Sequence, residues 1–518
     1  MSNKKLFSNT TPSASKPALT VNKAGGKAYA LSDKAALAQY AMTGCFNGTY
    51  YSTDKEQLTK LLELAGKADT EFLAKLAVYS REKGLMKDMP AVLTAIVSGR
   101  DADLFAKIFP RTINDPKMLR NFVQVIRSGA AGRKSLGTRP KKLIQKYLES
   151  LTDEQLFKAD VGNDPSLQDI IKLVHPKPSN KNRSALYGYL LDKEHNKEDL
   201  CPLVNKFEAF KKDMSGEIPD VPFQMLTALP LTNGHWKSIA KNATWNQTRM
   251  NLNTFARHDV LTDSKMLMSI CEKLQDKDQV KRAKVFPYQL FSAFLNIDGS
   301  VPSGVSVALQ KAAEHSLENV PEFKGKVYVM VDTSGSMGSP VTGNRGSVTT
   351  KMRNIDVAAL VASAIMRKNP KTEIIPFDTQ VHSHRLNPMD SIMTNARVLS
   401  GFGGGGTNCA SALESINAKG ATGDLVIYVS DNESFMDGQN YRQTGTMHQW
   451  EIFKKRNPKA KLVNIDISPS VTTQMNERRD VLNVGGFSDQ VFDVIAKFIE
   501  IGNDKELWVK TIEDVSFN

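Results

Sequence analysis

At Gly325 the periodicity of the chain changes. Lys326–Val331 (KVYVMV) is an unbroken apolar, β-branched run that ends in Asp332. A run without polar alternation belongs to a strand buried on both faces, as in a parallel sheet covered by helices on either side. Three later stretches resemble it: Thr372–Phe377, Asp424–Val429 and Lys461–Ile467. Amphipathic stretches alternate with them at Asn354–Arg367, Cys409–Ile416, Met447–Lys455 and Ser488–Ile501. Strand and helix in alternation predict a doubly wound, largely parallel α/β domain over residues 326–518. With a core of its own, that segment is expected to fold alone.

Before Gly325 the pattern is helix after helix, which makes the whole chain α + α/β. Leu58, Leu61, Leu62 and Ala65 share a face at the helical period, as do Phe72, Leu73, Leu76 and Tyr79. Ser166–Val174, Ser184–Leu191, Thr262–Leu274 and Pro287–Leu295 read in the same way, without a strict repeat period. Residues 27–325 are therefore expected to form an irregular helical-repeat array. Residues 1–26, rich in Ser, Thr, Lys and Pro, read as a disordered basic lead-in without the apolar core of a secretory signal. No apolar run approaches the roughly 20 residues that span a bilayer. Cys45, Cys201, Cys271 and Cys409 lie too far apart for a metal ribbon and are expected as buried thiols in a reducing cytoplasm.

The formal net charge of +13 is not spread evenly. Residues 1–325 hold 47 Lys+Arg against 34 Asp+Glu, whereas residues 326–518 hold 21 of each. Such asymmetry points to one domain that meets a polyanion and another that does not. The densest segment contains Arg127, Arg133, Lys134, Arg139, Lys141, Lys142 and Lys146 with no acidic residue among them. Gly129, Gly132, Gly137 and Pro140 make its first half a loop that can follow a phosphate backbone. His175, Lys177, Lys181 and Arg183 form a second candidate cluster, and Lys237, Arg249 and Arg257 a third, near Trp236 and Trp245. Those tryptophans read more readily as core than as stacking platforms.

Directly after the first expected strand stands Asp332-Thr333-Ser334-Gly335-Ser336. A carboxylate and two hydroxyls at alternate positions of a tight turn can converge on one point, and oxygen donors suit a hard cation, with magnesium expected. Thr407, after the glycine run Gly403–Gly406, and Asp431, at the end of the strand Leu425–Val429, would join them at the same sheet edge. No Gly-Lys-Ser/Thr follows the glycine run, so a phosphate-cradling loop is disfavoured.

The D-x-S-x-S turn, the Gly-rich loop ending in Thr and the strand-end Asp resemble the metal-ion-dependent adhesion site of von Willebrand factor A domains. Asp332, Ser334, Ser336, Thr407 and Asp431 match its five positions. The helical part narrows the resemblance. Ile170–Pro178 (IIKLVHPKP), Asn246–Phe255 (NQTRMNLNTF), Lys284–Phe294 and the Arg127–Lys146 stretch are similar to the TROVE domain. A TROVE module followed at once by an A domain resembles the Ro ribonucleoprotein family. That resemblance implies a HEAT-like ring that binds small Y-type non-coding RNA and the single-stranded ends of misfolded RNA in RNA quality control. It also implies an A domain that holds a divalent cation and offers its last coordination position to a protein partner, such as an exoribonuclease. Leu167 stands where the animal proteins place a His, and the preceding Leu156–Pro165 is not basic.

No Ser/His/Asp arrangement, paired-carboxylate motif or zinc signature is present, and the metal set supplies no evident general base, so a binding protein is expected rather than an enzyme. The competing readings are a protein-complex adaptor built on the helical repeats and, further off, a metal-dependent nuclease.

Overall fold

The computed structural model describes residues 19–517, apart from 163, 284, 347–348, 437–441, 489 and 502–505. The described part begins with a hairpin, β1 (Leu19–Val21) against β2 (Lys27–Ala30), antiparallel with Leu19 opposite Tyr29. Asn22 closes the turn by accepting the Gly26 amide on its side-chain oxygen at 2.8 Å. The expected disordered lead-in is thus corrected for residues 19–26, while residues 1–18 lie outside the described residues. The cause is a partner far along the chain: Tyr29 and Ala30 of β2 pair with Thr473 and Thr472. Local composition carries no sign of that pairing.

Among the described residues eighteen α-helices follow, from α1 (Asp33–Thr43) to α18 (Ser303–His315). Their starts are set by side-chain caps. Thr53 and Glu56 form a capping box on α2 (Asp54–Lys67), and Asp69 caps α3 (Thr70–Glu82). α3 buries Phe72, Leu73, Leu76 and Tyr79, the face expected from the sequence. α2 differs, burying Gln57, Leu61, Leu64 and Ala65 while Leu58 and Leu62 are half-buried, and the Gln57 amide reaches the Asn47 carbonyl at 2.5 Å. Trp236 and Trp245 are core. All four cysteines are free, but only Cys201 and Cys409 are buried; Cys45 and Cys271 are half-exposed, which corrects the expectation of four buried thiols.

The sheet of the C-terminal part is built from β3 (Val327–Asp332), β4 (Glu373–Phe377), β5 (Leu425–Ser430), β6 (Lys461–Asp466) and, beyond the two-residue β7 (Thr472–Thr473), β8 (Val481–Gly485). These five strands are all parallel, in the order β4-β3-β5-β6-β8. Val327, Val329 and Val331 point into one core and Tyr328 and Met330 into another, which is why the strand reads as a continuous apolar run. The second core is closed by α21 (Cys409–Ala418) and α22 (Gly445–Arg456). The first is shared with the helical array. It runs from Ala35 in α1 through the array to α19 (Asn354–Lys368), α23 (Gln490–Ile501) and α24 (Leu507–Glu513).

Both ends of the array rest on the α/β domain and close it into a ring. At its start, the Gln39 amide donates to the carbonyls of Asp466 and Ser468, Lys34 pairs with Glu513 at 2.6 Å, and Tyr79 bonds Gln490. At its far end, Tyr288 packs edge-on against Phe487 and Glu314 pairs with Arg367 at 3.1 Å. The boundary at residue 325 therefore marks where the sheet starts, while residues 19–43 pack as part of the α/β domain.

Candidate metal site and nucleic-acid surface

In the order β4-β3-β5, the chain leaves β3 for β4 on one side and returns to β5 on the other, which opens a crevice at the carboxyl ends of β3 and β5. Asp332 ends β3 there, and Asp431 follows β5. The turn after β3 is held by its own residues: Asp332 accepts the Ser334 amide at 2.9 Å, the Ser430 hydroxyl reaches its other oxygen at 2.5 Å, and the hydroxyls of Ser334 and Ser336 lie 3.3 Å apart. The glycine loop packs onto this turn through Gly335 N to Gly405 O and Gly404 N to Thr333 O, at 2.9 and 2.8 Å. Gly403, at φ +83°, passes so close that a Cβ there would stand 1.9 Å from the Thr333 carbonyl. Behind the loop, Asp378 accepts the Gly405 amide at 3.2 Å and pairs with His382 at 2.9 Å. The Thr407 carbonyl in turn accepts the amides of Phe435 and Met436, tying the loop to the segment after Asp431.

Asp332, Ser334, Ser336, Thr407 and Asp431 are all buried. Burial, with the charge of Asp431 opposite, pushes the Asp332 carboxyl up to about 7. Burial also pushes Asp431 up to about 6, against a hydrogen bond from Ser336. Among the described residues no cationic side chain pairs with either carboxylate. Nor do three or more His, Cys, Asp or Glu side chains gather as a metal site, so the donors would be hydroxyls beside two carboxylates. Two buried, unneutralised carboxylates among hydroxyl oxygens fit a hard divalent cation.

Three residues beside the turn carry no signal in the sequence, because chain far from it brings them there. The Tyr51 phenol bonds the Ser336 hydroxyl, and burial together with the Asp431 charge holds it un-ionised. Its loop is pinned to the α/β domain by Asn47 to the Thr342 carbonyl and by Asn344 N to Gly48 O, both at 2.8 Å. From the hairpin, the Ala24 amide donates to Glu433 at 3.2 Å, and Lys23 offsets part of the burial that raises the Glu433 carboxyl.

The pH dependence follows from the two aspartates. Their folded values lie above the ordinary carboxylate range, so the metal-free protein keeps their contribution at low pH and loses it as pH rises through about 6 and about 7. A cation needs both ionised. Were a divalent cation such as magnesium bound here, its stabilisation would be larger at about pH 8 than at about pH 5, reaching about 2.7 kcal/mol at a hundredfold excess over Kd. Asp332→Ala should abolish it at both. Melting curves with magnesium and with EDTA measure this, and equal stabilisation in the Asp332→Ala protein would remove Asp332 from the site.

The basic candidates separate in the structure. α6 (Pro116–Ser128) ends at Gly129, a loop follows, and α7 (Thr138–Ser150) begins after Gly137, so the first half of the segment is the loop expected from its glycines. Arg127, Lys134, Lys142 and Lys146 are exposed and Lys141 half-exposed, none in an ion pair among the described residues. Arg133 is drawn in to the Ser98 hydroxyl at 2.9 Å, and Arg139 pairs with Asp103 at 2.7 Å. In the second cluster His175 and Lys177 are exposed, and Lys181 pairs with Asp199 at 3.0 Å while staying exposed. In the third, Lys237 pairs with Asp263 at 2.8 Å and Arg257 is exposed, its guanidinium over Asn253 and Thr254.

Two candidates are corrected. Arg183, 4% exposed, pairs with Asp153 at 2.6 Å and donates to the Leu148 and Leu151 carbonyls, closing the end of α7. Arg249 is drawn into the array, bonding the Gln289 carbonyl at 2.9 Å, and burial lowers its pKa. Both charges serve packing. Arg183→Ala strands two carboxylates and two carbonyls and is expected to cost about 3–5 kcal/mol in urea unfolding. Unchanged stability would return Arg183 to the surface set.

A parallel sheet with two buried carboxylates and a hydroxyl turn at its switch point, set into a ring of helices, defines a ring-bearing A-domain protein. Residues 326–499 match the Ro60 vWA domain model. Along its length the chain is 24% identical to the RNA-binding protein RO60 of Deinococcus radiodurans, over 92% of this chain and 94% of that protein. Its fold is similar to the crystal structure of the Deinococcus radiodurans RO (RSR) protein, with a TM-score of 0.61 at 18% identity over 91% of this chain and 100% of that one. The family match thus covers residues 326–499, and the likeness to Ro proteins extends over most of the chain.

Proposed function

We propose that this protein is a non-enzymatic RNA-binding scaffold of a small ribonucleoprotein. The observation that carries this reading is the set of five unpaired cations, Arg127, Lys134, Lys141, Lys142 and Lys146, along α6, its loop and α7. Unpaired cations on one surface release counterions when they meet phosphate, and they are matched by no comparable excess in the α/β domain. The similarity to a protein named RNA-binding, over most of both chains, supports the same reading. The RNA would be a small Y-like RNA and the single-stranded ends of misfolded RNA, bound in cytoplasmic RNA quality control.

The α/β domain would hold magnesium through Asp332, Ser334, Ser336, Thr407 and Asp431, and recruit a protein partner such as an exoribonuclease. The metal ligands and the five cations lie on different domains, so Asp332→Ala should leave RNA affinity unchanged. Sequencing RNA crosslinked to the protein in its native cell tests the reading. Enrichment of small structured RNAs supports it, and a preparation free of nucleic acid, unchanged by nuclease, would favour a protein adaptor.

A further inference from the structure

Four of the unpaired cations do not run along a groove. Arg127 at the end of α6, Lys134 in the loop, and Lys141 and Lys142 in α7 line one cleft of about 650 Å³, with Leu136 and Leu173 also in its wall. No carboxylate lines it. Outside the cleft Arg139 pairs with Asp103 and Lys181 with Asp199, whereas these four have no ion pair among the described residues. The cleft also contains Gly137 and Thr138, where α7 starts. Gly137, at φ 71°, supplies no side-chain cap, so the first amides of this 13-residue helix have no side-chain acceptor, unlike those of α2, α3 and α10 (Lys181–Leu190).

We propose that this cleft holds a terminal phosphate of the RNA, an inference that rests on the RNA-binding reading above. An internal phosphodiester carries one charge and is met by cations spaced along a strand. A terminal monoester carries between one and two charges at neutral pH and offers three free oxygens. Four cations lining one cleft, with the uncapped amides of Thr138 and Arg139 at the start of α7, suit that group, and the apolar side chains of Leu136 and Leu173 suit the sugar or base beside it. The chemistry is shared by 5′ and 3′ ends, and the experiment separates them.

One single-stranded RNA sequence is prepared with hydroxyl ends, with a 5′-monophosphate and with a 3′-monophosphate, and its binding to the full chain is read by fluorescence anisotropy at one salt concentration. One phosphorylated form is expected to bind about tenfold tighter than the hydroxyl form, and the identity of that form assigns the end. In Lys141→Gln/Lys142→Gln all three bind more weakly and the ratio falls towards one. Lys134→Gln, on the loop, should lower the ratio as well. Equal binding of all three RNAs to the wild-type chain overturns the phosphate cleft and leaves the RNA-binding reading standing. A preference that survives both variants also overturns it, placing the phosphate elsewhere. Absence of binding to any of the three, and to a structured RNA, overturns the underlying reading.

Discussion

A fragment beginning at Lys326 is expected to be far less stable than the same domain in the full chain, aggregating or melting many degrees lower. The sequence reading expects residues 326–518 to fold alone, but the structure gives the missing segment specific work. Without residues 19–43, Thr472 and Thr473 lose their β2 partner. The carbonyls of Ser434, Asp466, Ser468 and the amide of Gln474 lose Asn22, Gln39 and Lys27. Each hydrogen bond contributes about 0.5–1.5 kcal/mol, and a buried group left unpaired costs about 1–3. The apolar face of Val484, Trp508 and Val509, packed in the core that α1 shares, is exposed as well. Losses on this scale rival the whole stability of a domain, about 5–15 kcal/mol. Thermal unfolding of the fragment, with and without residues 19–43 added as a peptide, measures the effect. A fragment as stable alone as the domain within the full chain would show that the amino-terminal segment only decorates the α/β domain.

The same comparison shows which parts of the molecule are legible in the residues. β3, β4, β5 and β6 are legible because helices cover both faces, so each strand is apolar at nearly every position. The turn after β3 is legible because Asp332, Ser334, Ser336 and Asp431 lie at or within a few residues of the ends of β3 and β5, strands that the topology makes neighbours. β8 (Val481–Gly485) is not legible: Asn483 interrupts its apolar run, because its side chain bonds Asn464, Thr473 and the Met475 carbonyl inside the domain. The hairpin and Tyr51 escape detection because their partners lie hundreds of residues away. Charge misleads at Arg183 for a related reason. A basic residue beside Lys181 looks solvent-facing until Asp153 and two carbonyls at the end of α7, some thirty residues before it, are found to engage all three of its guanidinium nitrogens. Clusters of like charge report a polyanion surface only after the paired members have been removed.

Within residues 127–146, setting aside the tethered Arg133 and Arg139 leaves Arg127, Lys134, Lys141, Lys142 and Lys146 without an ion pair among the described residues. Replacing all five with Gln keeps polarity and removes the charge. The loss of affinity should be broad across RNA sequences, since phosphate contacts position an RNA without reading its bases. The most direct test is a salt titration of the wild-type chain and the five-fold variant on one structured RNA with single-stranded ends. Each lost phosphate contact flattens the slope of log affinity against log salt by about 0.7–0.9, so removing the five charges predicts a flatter slope, by at least one such step. Identical slopes for the two proteins would contradict the account, because they would mean that this face of the ring does not touch the RNA backbone.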